Sequence, residues 1–167
     1  VRLLTALWEL GVRGGSLTWS RRNLLASGCC KASECYEIRG GLSPEGFDVV
    51  REMERLRMFV DVSHLNDDGF ENIRETAIRP FMATHSNSRE VAFHYRNLTD
   101  TQMQILADQG GIAGLNGYVR LVSETAEEEY PDENGVYCLE KLCMPLSASV
   151  PMLFRETEDP SPEAATF

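Results

Sequence analysis

The sequence predicts an α/β protein built on parallel strands, and three observations predict it. Short apolar runs alternate along the chain with amphipathic stretches of helical period. Each amphipathic stretch in the middle of the chain opens on a helix-start signal: Ser43-Pro44-Glu45, Asn66-Asp67-Asp68 and Thr99-Asp100-Thr101-Gln102. Two apolar runs, Phe59–Ser63 and Phe81–Thr84, are each followed at once by a histidine, His64 and His85. Strands alternating with helices of about 10–15 residues define right-handed βαβ units around a parallel sheet.

Taken in order, Leu3, Leu4, Leu7 and Leu10 suit one helix that stops at Gly11, and Ser16–Trp19 reads as a strand. Ser43 caps the next helix, with Pro44 at its first position and Glu45 near the positive end of the dipole. Val49, Val50, Met53 and Leu56 form its inner face as far as about Arg57. After the Phe59–Ser63 strand, Asn66-Asp67-Asp68 start a helix whose apolar face is Phe70, Ile73 and Ala77, stopped by Arg79-Pro80. Phe81–Thr84 is a strand. Thr99 and Gln102 make a capping box for a helix carrying Met103, Leu106 and Ala107 inward, with Gly110 as its C′ glycine. Gly111–Asn116 is the last apolar strand.

Composition narrows the function classes. The chain has 167 residues, 43% of them hydrophobic and 25% charged, which suits a globular domain and excludes a mostly disordered chain. No apolar run reaches the ~18 residues a membrane span needs. Val1–Gly15 makes a poor signal peptide because Glu9 interrupts it. With no leader or anchor legible, the cytoplasm is the default location, and Val1 in place of Met suggests a piece of something longer. The five cysteines, Cys29, Cys30, Cys35, Cys138 and Cys143, are odd in number and irregular in spacing, so free thiols are expected. The net charge of −10 is unevenly placed: 11 of the 26 acidic residues fall between Glu124 and Phe167, against Lys141 and Arg155. Neither part carries the basic stripe that nucleic-acid binding requires. The chain divides into an α/β domain over 1–122 and an acidic segment over 123–167, punctuated by Pro131, Pro145, Pro151, Pro160 and Pro162, whose end is expected to be disordered.

His64 and His85 are the leading candidates for chemistry. Both sit at the C-terminal ends of strands, the edge at which parallel α/β proteins bind ligands, and neutral imidazole is the commonest metal ligand. A catalytic zinc usually has three protein ligands, and no carboxylate has a convincing placement to complete the set. Asp61 lies three residues before His64, so strand alternation sends it to the other face. Asp67 and Asp68 read as helix caps. Arg96, just ahead of the capping box, could grip a substrate carboxylate through two hydrogen bonds, although a loop arginine is commonly just solvated. His94 shares that loop and is given no role. Gly40-Gly41 and Gly110-Gly111 lack the lysine and spacing of a phosphate loop.

The chain closely resembles the membrane dipeptidase (renal dipeptidase) family of zinc peptidases, in its bacterial branch. The resemblance runs almost continuously from Gly11 to about Tyr118, through GVRGGSLTWSRRNLLASG, GLSPEGFDVVREMERLRMFVDVSHLND, RPFMATHSNSREVAFHYRNLTDTQ and GGIAGLNGY. It implies a (β/α)8 TIM barrel, of which roughly half is present, with two zinc ions at the C-terminal ends of its strands. It implies that His64 and His85 bind the second zinc and that Arg96 holds the free carboxylate of a dipeptide substrate. A hydroxide bridging the two metals would attack the peptide carbonyl.

The sequence also departs from the family pattern. The family's His-x-Asp pair and its bridging glutamate would lie upstream of Val1, and no segment like GSDFDG follows Leu115. Trp19 stands where the family has a substrate-binding histidine. The expectation is therefore a dipeptidase fragment with little activity alone. Its rivals are a non-catalytic relic acting in binding and another metal-dependent amidohydrolase. An open half-barrel leaves sheet edges uncovered, so a second copy of the chain is an expected partner.

Overall fold

The computed structural model describes residues 2–29 and 40–123. All of the acidic segment beyond Ser123, and Cys30, Cys35, Cys138 and Cys143, lie outside the described residues. Cys29 is a buried free thiol.

The helices form where the local signals place them. Helix α1 spans Arg2–Glu9, α2 Pro44–Arg55, α3 Asp67–Thr76, α4 Asp100–Asp108 and the single turn α5 Val119–Val122. Ser43 Oγ accepts from Gly46 N at the start of α2, and Asn66 Oδ1 from Gly69 N at the start of α3. At α4 both halves of the Thr99–Gln102 capping box are made, and Gly110 follows with φ +73°. The inner faces are partly as expected. Val50, Met53, Phe70, Ile73 and Leu106 are buried, but Ala107 is exposed and Gln102 is buried instead. On α1 the inward residues are Leu4 and Trp8, while Leu3 and Leu10 are exposed.

The strands are shorter than the sequence suggests. Strand β1 is Gly14–Ser16 and β2 is Phe59–Asp61, paired in parallel with Gly14 opposite Phe59 and Ser16 opposite Asp61. The expected Ser16–Trp19 strand is thus displaced towards the N-terminus. Gly14 explains the shift, because the Phe59 ring lies against its Cα, where any Cβ would overlap it. Phe81–Thr84 and Gly111–Asn116 extend the same ladder through single parallel bridges, Asp61 to Met82 and Ala83 to Ala113. Val62 N donates to Met82 O at 2.8 Å and Met82 N to Val60 O at 3.0 Å. Gly114 N donates to Ala83 O at 2.7 Å, a close approach at which a Cβ on Gly114 would strike the Thr84 carbonyl.

Four parallel segments therefore lie side by side in chain order, with α2, α3 and α4 in the three connections. The core fills the space between them and the helices: Val50, Met53, Val60, Phe70, Ile73, Phe81, Ala83 and Leu106 are each no more than 3% exposed. Phe70 and Phe81 meet edge to face, with ring centroids 5.7 Å apart, the arrangement aromatic quadrupoles favour.

Asp67, at the first position of α3, ties that helix to the loop beyond the second histidine. Arg89 donates to both of its oxygens, at 2.8 and 3.0 Å, and Gln102 adds a third bond at 3.0 Å. The Arg89 hydrogen bonds, aided by Gln102 and opposed by partial burial, hold the Asp67 carboxyl below its usual value of 3.8. A carboxyl depressed on folding contributes stability that is present above the unfolded pKa and lost as pH falls through the folded one. At neutral pH Asp67→Asn is expected to cost up to ~1 kcal/mol, the scale of a partly exposed pair. Thermal melts should show the gap between the two proteins closing as pH falls below 3.8; a gap constant down to pH 2 would contradict this.

Candidate metal centre

The C-terminal ends of β2 and of the Phe81–Thr84 segment bring His64 and His85 together. Their Nε2 atoms lie 3.0 Å apart, with ring centroids at 4.9 Å and planes inclined by 58°. Two nitrogens on one tetrahedral zinc are separated by ~3.3 Å, given Zn–N distances of ~2.0–2.1 Å. The pair thus has the spacing and the soft-to-borderline donor chemistry of two ligands of one ion. Among the described residues no cluster of three or more His, Cys, Asp or Glu side chains completes a metal site.

Each histidine is placed by its backbone. His64 has φ +76°, a left-handed conformation that non-glycine residues adopt at a cost. Surrounding chain imposes it: Cys29 N donates to His64 O at 2.8 Å, Leu65 bridges Gly28, and Asn66 N donates to Ser27 O. Ser16 Oγ, at the end of β1, donates to Ser63 O at 2.8 Å. For His85, the backbone N donates to Ser63 Oγ at 3.1 Å, and its carbonyl accepts from Arg96 Nη2 at 3.0 Å. Strain of this kind gathers at functional sites.

The electrostatics keep His64 neutral. Burial, then the Arg96 guanidinium and His85, pull it down from 6.5 to about 4, against the opposing charge of Asp61. A neutral imidazole is the form that binds metal. Arg96 is itself only 8% exposed. Burial lowers its pKa, while the neighbouring Cys29 opposes that shift. Burial in turn raises Cys29. Besides His85 O, Arg96 reaches Ser86 Oγ at 3.4 Å. The structure therefore places all three expected site residues, His64, His85 and Arg96, in one neighbourhood. Arg96 is buried behind the pair rather than solvated. His94 accepts from Arg96 N through Nδ1 at 3.1 Å and stacks on Tyr95. Trp19 is 71% exposed, its ring 6.0 Å from that of His64.

Sequence reasoning missed Asp61. Its side chain is buried and its oxygens accept from Ser63 N at 2.9 Å, Thr84 N at 3.0 Å and Thr84 Oγ1 at 2.6 Å. Thr84 Oγ1 in turn lies 2.7 Å from His85 Nδ1. The local half of this arrangement had a signal, since an aspartate two residues before a backbone N–H is Asx-turn spacing. The half that crosses to Thr84 had none.

Parallel strands with two imidazoles converging at their C-terminal ends define the chain as an α/β protein. The family follows from comparison with known proteins: the model of the membrane dipeptidases, peptidase family M19, matches residues 1–150, and the chain belongs to that family. Mouse dipeptidase 3 is 34% identical over 111 residues, covering 66% of this chain and 22% of the mouse protein. An uncharacterized Klebsiella pneumoniae protein encoded in the pqqA 5′ region is 35% identical over 116 residues, 69% of this chain and 43% of that protein. Among solved structures, a metallo peptidase from Rhodobacter sphaeroides, liganded with a phosphinate mimic of the dipeptide L-Ala-D-Ala, superposes with a TM-score of 0.74. It is 28% identical, and the match covers 90% of this chain and 42% of that one. The chain thus spans less than half the length of each of these proteins.

Proposed function

We propose that the chain carries one zinc subsite of a dipeptidase, with His64 and His85 as ligands through Nε2 and Arg96 as the group that receives the free carboxylate of a dipeptide. The observation that carries the reading is the 3.0 Å approach of the two Nε2 atoms at neighbouring strand ends. Family membership and the dipeptide mimic bound by the Rhodobacter sphaeroides relative support the same substrate class. The unbroken chain order of the parallel segments supports a singly wound (β/α)8 barrel, of which 1–122 supplies about half. A second zinc, with ligands outside the described residues, completes the proposed site.

A zinc held by His64 and His85 would supply Lewis acidity, the chemistry that polarises a carbonyl and lowers the pKa of bound water. The chain's own residues do the rest. His64, kept neutral by burial, is in the charge state in which an imidazole binds metal. His85 is fixed in place by its backbone bonds to Ser63 and Arg96. Arg96, in a site of low exposure, keeps a cation beside the ligand pair, and a charge there attracts a carboxylate more strongly than one in water.

Two imidazoles leave zinc under-coordinated, so residues 1–167 alone are expected to bind it weakly and to hydrolyse no simple dipeptide. Isothermal titration should give one zinc site, lost in both His64→Ala and His85→Ala. Zinc binding indifferent to both substitutions would overturn the reading. So would hydrolysis of Ala-Ala by the isolated chain that survives His64→Ala.

A further inference from the structure

We propose that Asp61 and Thr84 form a positioning relay that holds the His85 imidazole in the tautomer whose Nε2 is free to bind metal. The proposal rests on the reading of His64 and His85 as a ligand pair, but the hydrogen-bond chain stands on the geometry alone.

The chain begins at a buried carboxylate, 6% exposed. Asp61 Oδ1 is anchored by two backbone donors, Ser63 N at 2.9 Å and Thr84 N at 3.0 Å. That fixes Oδ2, which faces Thr84 Oγ1 at 2.6 Å. A hydroxyl has one proton and a carboxylate only lone pairs, so the Thr84 proton points to Asp61. Thr84 Oγ1 then presents a lone pair to His85 Nδ1 at 2.7 Å, and Nδ1 must carry the imidazole proton. A neutral imidazole protonated on Nδ1 keeps its lone pair on Nε2. That is the atom 3.0 Å from His64 Nε2.

Among the described residues nothing equivalent acts on His64, whose Nδ1 is buried with no hydrogen-bond partner there. The direction of the pair is therefore set from the His85 side. With His85 Nε2 as the acceptor, His64 donates from its own Nε2; holding a metal through that atom would require the His64 tautomer protonated on Nδ1. The position of His85 does not depend on the relay, because Ser63, Arg96 and Asn116 bond its backbone. The relay decides where a proton sits, which is the role outer partners of ligating histidines usually play.

Asp61→Asn separates this role from a structural one. The two backbone donors keep the amide oxygen at the Oδ1 position, so the amide NH2 faces Thr84 Oγ1. The Thr84 proton must then turn to His85 Nδ1, and His85 becomes protonated on Nε2. Two-bond 1H–15N correlation spectra of the metal-free 167-residue chain should read His85 as Nδ1–H in the wild type and Nε2–H in Asp61→Asn, with backbone spectra otherwise preserved. Zinc affinity, measured by chelator competition, should fall ~10–100-fold in that variant. Thr84→Ser should keep the wild-type tautomer and affinity, and Thr84→Val should lose both; this pair reads the relay even if Asp61→Asn does not fold. An unchanged His85 tautomer in Asp61→Asn overturns the relay. If the tautomer inverts but the wild type binds no zinc, the ligand-pair reading fails and the relay loses its purpose.

Discussion

Replacing His64 with glycine is expected to abolish zinc binding while leaving the folded chain within about 1 kcal/mol of its original stability. His64 holds φ +76°, a conformation that costs a side-chain-bearing residue ~1–2 kcal/mol and glycine almost nothing. Against this relief stand the greater backbone entropy of glycine when unfolded, ~0.5–1 kcal/mol, and the loss of ring contacts with Trp19 and His85. The terms nearly cancel. Metal binding has no such compensation, since one of the two converging imidazoles is gone. Affinity should drop by more than the ~10–100-fold that a ligand's outer partner typically contributes. Urea unfolding and zinc titration of the same preparation check both halves. A variant destabilised by ~3 kcal/mol would show that His64 is in place for packing, not for a ligand.

Phe70→Ala should have the largest effect on stability. Phe70 is 2% exposed, packs edge to face on Phe81, and joins α3 to the ladder that carries both histidines. Truncating a buried phenylalanine costs ~3–5 kcal/mol, a large share of the ~5–15 kcal/mol that holds a domain together. The urea midpoint should fall steeply. Zinc affinity should weaken with it, because Phe70 N donates to Asn66 O in the first turn of α3, which begins just after His64. A loss below ~1 kcal/mol would mean that the site can collapse around the missing ring.

The helices were legible because their signals are local. Ser43, Asn66 and Thr99 each cap a helix through a hydrogen bond three residues along, and spacing alone reveals that. The strands were less so. Ser16–Trp19 reads as β-forming, yet pairing begins at Gly14, where the Phe59 ring needs an absent Cβ; that partner is 45 residues away in the chain. Ala107 fits an inward face by period, but the capping box folds Gln102 back toward Asp67 and buries it instead. At the site, His64 and His85 could be read from their places after apolar runs, because strand ends in parallel sheets gather ligands. Asp61 could not. Alternation assigns it to the far face, whereas Thr84 N and Oγ1 hold its carboxylate beside the site across 23 residues. Arg96 was legible as a cation near the site, but its burial behind His85 depends on contacts no local pattern encodes.

If the two Nε2 atoms share one metal ion, anomalous diffraction at the zinc edge will show it. In a crystal of the chain grown with zinc, a peak is expected within ~2.0–2.1 Å of both His64 Nε2 and His85 Nε2. Full zinc occupancy elsewhere on the molecule, with the two imidazoles still in contact and no peak between them, would contradict it.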